Sequence, residues 1–196
     1  MHLVFDIFQG MGVAAAIGIR PFLPALVVGA LAAGNVEIHF NGTSWDFLQQ
    51  GWFFLVLVVL VMALALIERR MSEEQLERGP VGIAIAGCAL ALGALFFAAS
   101  LARGHYAAWP GIIGGIVCAA IGIAATRPLF VRVRQRLDAE AAAAVPLYFE
   151  GAAVLFALLS VVAPPLGLIG VVLLVWLLVA GRRRADQKYA GLRILR

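Results

Sequence analysis

Charge is scarce in this chain. Only 13% of its 196 residues are Asp, Glu, Lys or Arg, against 63% that are hydrophobic, and the mean hydropathy is +0.99. A soluble domain is roughly 45–50% apolar, so the shortage of charge excludes an ordinary water-soluble globule and leaves an integral membrane protein. Cysteine is nearly absent: Cys88 and Cys118 lie inside apolar runs, where a free thiol acts as a small hydrophobe, and no disulfide framework is expected. The three histidines, His2, His39 and His105, share no ligand spacing with each other or with the cysteines, so neither zinc nor haem is expected, nor any other cofactor. There is no glycine-rich phosphate loop, no nucleophile elbow and no acid–base cluster, so the chain does not read as an enzyme. A cleavable leader is not expected either, because the first residues carry no basic region and the apolar stretch after Asp6 runs on too long.

What the chain has in abundance is long apolar runs. About 18 such residues cross a hydrocarbon core of roughly 30 Å as a helix. Blocks such as Phe53 to Ile67 are apolar on every face rather than alternating, which excludes a barrel. Six spans are predicted: Met11–Ala33, Gly51–Ile67, Val81–Leu101, Gly111–Phe130, Val145–Ala163 and Leu166–Ala180. The fold class is therefore an all-α polytopic membrane bundle, one transmembrane domain over residues 1–196 with a basic tail at 182–196. Pro80, Pro110, Pro146 and the Pro164-Pro165 pair are placed at span starts, where a missing backbone N–H costs nothing.

The surplus of four positive charges would suggest nucleic acid in a soluble protein; here its distribution reads as topology, and no nucleic acid is expected. Arg69, Arg70 and Arg78, then Arg127, Arg132, Arg134 and Arg136, then Arg182, Arg183, Arg184, Lys188, Arg193 and Arg196 fall on one side of a six-span layout. Cytoplasmic loops carry the excess of Lys and Arg, so both termini are predicted to be cytoplasmic, in a bacterial inner membrane. Arg127, Arg132, Arg134 and Arg136, read as a loop over 126–137, either enforce that topology or bind anionic lipid headgroups at about 1 kcal/mol per charge. Glu73, Glu74 and Glu77 read as a solvated turn. The loop 35–50 is external, and Trp45, Trp52, Tyr106 and Trp109 form an aromatic belt.

Arg20 is the most informative position. If the first span enters near Met11, nine residues of helix carry Arg20 about 14 Å deep, where a charge costs roughly 2.5–3.5 kcal/mol and normally faces a bundle interior or a wet cavity. Pro21 and Pro24 remove two backbone donors beside it, so the helix is predicted to break between Gly18 and Pro24, and irregular backbone at membrane depth is tolerated only in protein or along a cavity. Gly18, Arg20, Pro21 and Pro24 thus form a candidate anion site, with the N-terminus of the half-helix from Phe22 adding to the attraction. The other reading is structural: Arg20 snorkels to an interface if the first helix begins nearer Leu3, or pairs with Glu68 or Glu150 to lock the bundle. Glu150, inside the fifth span, is also a candidate for proton coupling.

Ala15-Ala16-Ile17-Gly18-Ile19 recurs as Ala119-Ala120-Ile121-Gly122-Ile123. Under six spans the copies sit in halves of opposite orientation, 1–104 and 105–196, which is the 3+3 inverted repeat found in many transporters. Gly10, Ala14 and Gly18, and likewise Gly111 and Gly115, make small-residue stripes that suit either a tight bundle or a homodimer.

The run Gly18-Ile19-Arg20-Pro21-Phe22-Leu23-Pro24, with Gly29 and a second span closing in Ala65-Leu66-Ile67-Glu68, resembles the bacterial membrane family catalogued as domain of unknown function 4126. The resemblance covers mainly the first seventy residues, and Arg69-Arg70 stands where that family's pattern has Asp. It implies a small helical inner-membrane protein and carries no activity. Two functions remain: a small transporter or channel moving an anion past Arg20, or an accessory membrane protein that binds lipid or a partner complex. A transporter needs a wet path to Arg20; an accessory protein would bury it in a dry salt bridge.

Overall fold

The computed structural model describes residues 2–70, 79–134 and 136–192, and among these it holds seven α-helices and no strand. They are α1 (His2–Ile19), α2 (Phe22–Ala33), α3 (Gly51–Arg70), α4 (Pro80–Arg103), α5 (Trp109–Arg134), α6 (Ala139–Val162) and α7 (Pro164–Leu192), with a 3-10 turn over Asp46–Gln49 before α3. Five of them, α3 to α7, contain stretches long and apolar enough to cross a membrane. Residues 73–78, with their glutamates, lie outside the described residues, as does the end of the basic tail.

The predicted first span is where the structure departs from the sequence reading. In place of one kinked crossing from Met11 to Ala33 there are two shorter helices, α1 and α2, so six full-length spans are not what the fold contains. The break lies between Gly18 and Pro24, as expected: the Arg20 N–H still donates to the Ala16 carbonyl at 3.2 Å, whereas Pro21 has no N–H to continue the ladder. Pro24 falls in the first turn of α2, where a donor would have no helical acceptor. At its other end α2 stops with Asn35 in the left-handed region (φ 53°), and the Val36 N–H returns to the Leu31 carbonyl at 2.9 Å.

Helix α1 begins at His2 rather than Met11. Its 18 residues are roughly 27 Å long, so Arg20 lies toward one end of the bundle. Contacts fix the sense of the hairpin. Asp6 pairs with Arg103 at the end of α4, Gln9 Nε2 donates to the Val161 carbonyl at 3.3 Å near the end of α6, and the Glu37 carbonyl beyond α2 accepts from Arg103 at 2.7 Å. Arg20, at the tip, meets Glu68 and Glu150 instead. Both arms therefore open toward one end, which holds Trp45, Trp52, Tyr106 and Trp109 and is here called the aromatic end. The tip points to the other, the arginine end.

The same contacts locate the ends of α1 and α7 within the bundle. Helix α7 leaves the aromatic end where Gly167 sits against the Phe8 carbonyl and Gly12, and it reaches Arg132 near Gly181. The Leu192 end of α7 and the His2 end of α1 thus lie toward opposite ends of the bundle. Two further boundaries shift. Arg127, Arg132 and Arg134 belong to the last turns of α5, not to a loop. Pro146 lies inside α6, which starts earlier because Asp138 caps it, accepting from the Ala141 N–H at 2.8 Å.

Helix α1 is the hub of the bundle, packed against α4, α5, α6 and α7, with Val13 to Ile17 completely buried. Hydrocarbon offers no hydrophobic gain for bringing helices together, so close backbone contact must hold them. The duplicated pentapeptide supplies it. A Cβ on Gly18 would collide with the Ala119 carbonyl oxygen, and one on Gly122 with the Ala15 carbonyl oxygen. The two copies therefore cross each other reciprocally, in a geometry that favours Cα–H···O contacts of about 0.5–1 kcal/mol each. Both α1 and α5 run antiparallel to α4, as Gly10 against Phe97 and Gly111 against Ala98 show, so the copies are parallel. The inverted relation expected of them is not present, because α1 and α2 fold as a hairpin where the sequence reading counted one span. The small-residue stripes are likewise used inside the chain: Gly115 abuts Gly93 and Ala94.

Candidate functional site

Five charged side chains converge at the arginine end: Arg20 from the hairpin tip, Glu68 from the last turn of α3, Arg127 and Arg134 from α5, and Glu150 from α6. All line one cavity of about 830 Å³. Each arrives there for a local reason. The Pro21 break turns Arg20 out of the α1 ladder, Glu68 is the first charge after the apolar run of α3, and Glu150 lies one helical turn beyond Pro146, which itself lines the cavity.

Arg20 is buried, with 9% of its surface exposed. Its Nη1 donates to Glu68 Oε1, and its Nε lies 3.5 Å from Glu150 Oε2. Its Nη2 is buried with no hydrogen-bond partner. A guanidinium offers five donors in a fixed fork, and a buried donor left unmade costs about 1–3 kcal/mol. The site is thus tied by two carboxylates yet incompletely satisfied. Beneath it lies Phe130, whose ring centroid is 5.4 Å from the Arg20 guanidinium carbon and 5.5 Å from that of Arg134. The Phe149 ring meets Phe130 edge-on at 5.2 Å. Arg127 Nη2 donates to the Gly82 carbonyl at 3.4 Å, which ties α5 to the start of α4.

The remaining walls are apolar. Leu23, Val61, Leu64, Ile85, Ala89 and Leu147 face the same space. Three guanidinium groups and two carboxylates thus share one end of a lining that is otherwise apolar. Toward the aromatic end lie the buried stretch of α1 and an aromatic group comprising Phe40, Phe53 and Phe96.

Of the residues singled out in the sequence, the structure brings together Gly18, Arg20, Pro21, Glu68, Glu150, Arg127 and Arg134. Pro24 is buried within α2 and does not line the cavity, and Arg132 and Arg136 are exposed outside it. Sequence reasoning missed Phe130 and Thr126. Phe130 stands four residues before Arg134, one turn along the same helical face, which is the signal that would have placed it there. It also missed the Asp6–Arg103 pair at the aromatic end. Among the described residues no group of three or more His, Cys, Asp or Glu could hold a metal ion. No family model, no curated protein and no solved structure matches the chain.

Proposed function

We propose that this protein is a small membrane transporter whose substrate is an anion bound at Arg20 from the arginine end. The observation that carries the reading is the buried Arg20 guanidinium at the tip of a broken hairpin, its Nη2 without a partner among the described residues, on the wall of a cavity of about 830 Å³. Interrupted helices at the wall of a cavity are where many secondary transporters hold their substrates. In the empty state Glu68 and Glu150 occupy the guanidinium; an entering anion competes with them, and its binding favours whichever arrangement of the α1–α2 hairpin holds it better. The positive-inside rule puts the arginine end in the cytoplasm, so the His2 end of α1 is external and the C-terminal helix end internal. The resemblance to domain of unknown function 4126 agrees with a small inner-membrane protein and assigns no chemistry.

A second reading has its own observation in favour: Arg20 is already held by two carboxylates, as an accessory protein with a structural ion pair would hold it. Reconstitution separates the two. Proteoliposomes containing wild type are expected to take up anions from a panel of phosphate, benzoate and octanoate; Arg20→Gln abolishes uptake without unfolding, and Arg20→Lys keeps part of it, retaining charge without the planar fork. Absence of uptake for every anion, together with unfolding of Arg20→Gln, would establish the accessory reading.

A further inference from the structure

The cavity has a shape that a small inorganic anion does not explain. Helix α3 packs against α2 and the 3-10 turn and makes no substantial contact with α4, although the two helices stand side by side around the cavity. Val61, Leu64 and Ala65 on α3 face it together with Ile85, Ala86 and Ala89 on α4. On both helices the facing residues recur at three- and four-residue spacing, so each presents one continuous stripe. Several are small. Alanine and glycine along such stripes ordinarily let membrane helices close on one another, yet here they border open space. The stripes run seven residues from Glu68 back to Val61 and from Gly82 on to Ala89, roughly 10 Å of apolar slot leading away from the charged cluster. The slot is polar at one end only, where Arg20 sits with its buried, unpartnered Nη2.

We infer that the ligand is an anionic amphiphile, with a phosphate or carboxylate headgroup on Arg20 and an apolar tail lying between α3 and α4. This rests on the anion reading given above and adds the tail. The walls would order water against apolar side chains if the slot were wet, whereas an alkyl chain removes that surface from water. The Arg20 fork matches the flat, two-oxygen face of a phosphate or carboxylate. A neutral lipid chain would fill the slot but leave the buried Arg20 Nη2 without an acceptor. Because α3 and α4 do not close, the tail reaches the slot sideways from the hydrocarbon layer, and the headgroup slides in at the level of Glu68 and Gly82.

The test is radioligand binding of octyl phosphate to tagged protein in phosphatidylcholine nanodiscs, with methyl phosphate and octanol as competitors. Partition into the nanodisc is common to all variants, so ratios between variants report the protein. Octyl phosphate is expected to compete at least tenfold better than methyl phosphate, and octanol not to compete. Ala86→Trp, which fills the slot, should erase that advantage while leaving methyl phosphate binding intact; Ala65→Leu, a milder change on the opposite wall, should reduce it if the tryptophan variant does not fold. Glu68→Gln, which frees Arg20 of one rival, should tighten both phosphates. Equal competition by methyl and octyl phosphate in wild type would overturn the amphiphile and leave the anion reading standing. Octanol competing as well as octyl phosphate, Arg20→Gln binding octyl phosphate as wild type does, or no binding of either phosphate would overturn both.

Discussion

Helix α1 is pinned by arginine–carboxylate pairs at both ends, and the two ends are built differently. At the aromatic end the match is one to one: Asp6, 3% exposed, holds Arg103, and the second Arg103 nitrogen is answered by the Glu37 carbonyl. At the arginine end one guanidinium faces two carboxylates, keeps one nitrogen unpartnered and looks into open volume. A buried ion pair contributes to stability only if its remaining hydrogen-bonding capacity is met. The first end meets that condition and the second does not, which is the difference between a fastening and a site.

The sharpest way to break the comparison is to ask which end is on which side of the membrane. In a background with Cys88 and Cys118 replaced by alanine, a thiol at Leu3 should be labelled from the same side as one at Thr43, and one at Arg136 only from the other. This outcome is all or none. Labelling of Leu3 together with Arg136 would mean that α1 and α2 do not form a hairpin, and the two ends could not be compared as drawn.

Next in size is Asp6→Asn, which leaves Arg103 largely buried without its charge partner and should cost about 2–4 kcal/mol of stability, read from denaturant unfolding in mild detergent. Glu68→Gln and Glu150→Gln, made singly, should cost only about 1 kcal/mol each, since Arg20 keeps the other carboxylate. The double variant should cost more than the sum. Equal losses at the two ends would make both structural. Gly18→Ala and Gly122→Ala lie between, at about 1–3 kcal/mol, because each forces backbone apart at the α1–α5 crossing.

How much of this was legible beforehand follows from what each signal depends on. The break at Pro21 depends on covalent chemistry, a missing N–H, and could be read directly. Glu68 and Glu150 could be named because a charge in an apolar run is costly wherever it is placed. The start of α1 could be read only as an alternative, nearer Leu3, because Asp6 and Gln9 look like the polar edge of a span. They are buried only because Arg103 and Val161 meet them, from 97 and 152 residues away in the chain. That same stretch has no Lys or Arg before Arg20, so the positive-inside rule had nothing to count there. The inverted repeat failed with it, since its sense depended on the number of passes ahead of α3. The identity of the two pentapeptides was visible; that they touch was not.

The smallest expected effect sharpens the contrast most finely. The Phe130 ring lies under two guanidinium groups, Arg20 and Arg134, whereas Phe40 at the aromatic end lies edge-on to Phe96 with ring centroids 6.2 Å apart. A cation over a ring is held by the negative potential of the ring face, worth about 0.5–2 kcal/mol as desolvation increases; an aromatic pair depends mainly on shape and buried area. Successive fluorination drains the ring face while barely changing its volume. Mono-, di- and trifluorophenylalanine at Phe130 should therefore lower stability in steps that total about 1 kcal/mol, and the same series at Phe40 should leave it nearly flat. Graded losses at both positions would mean that ring electrostatics matter generally in this bundle. A flat series at Phe130 would mean that the ring only fills space beneath Arg20, and the guanidinium would then be positioned by Glu68 and Glu150 alone.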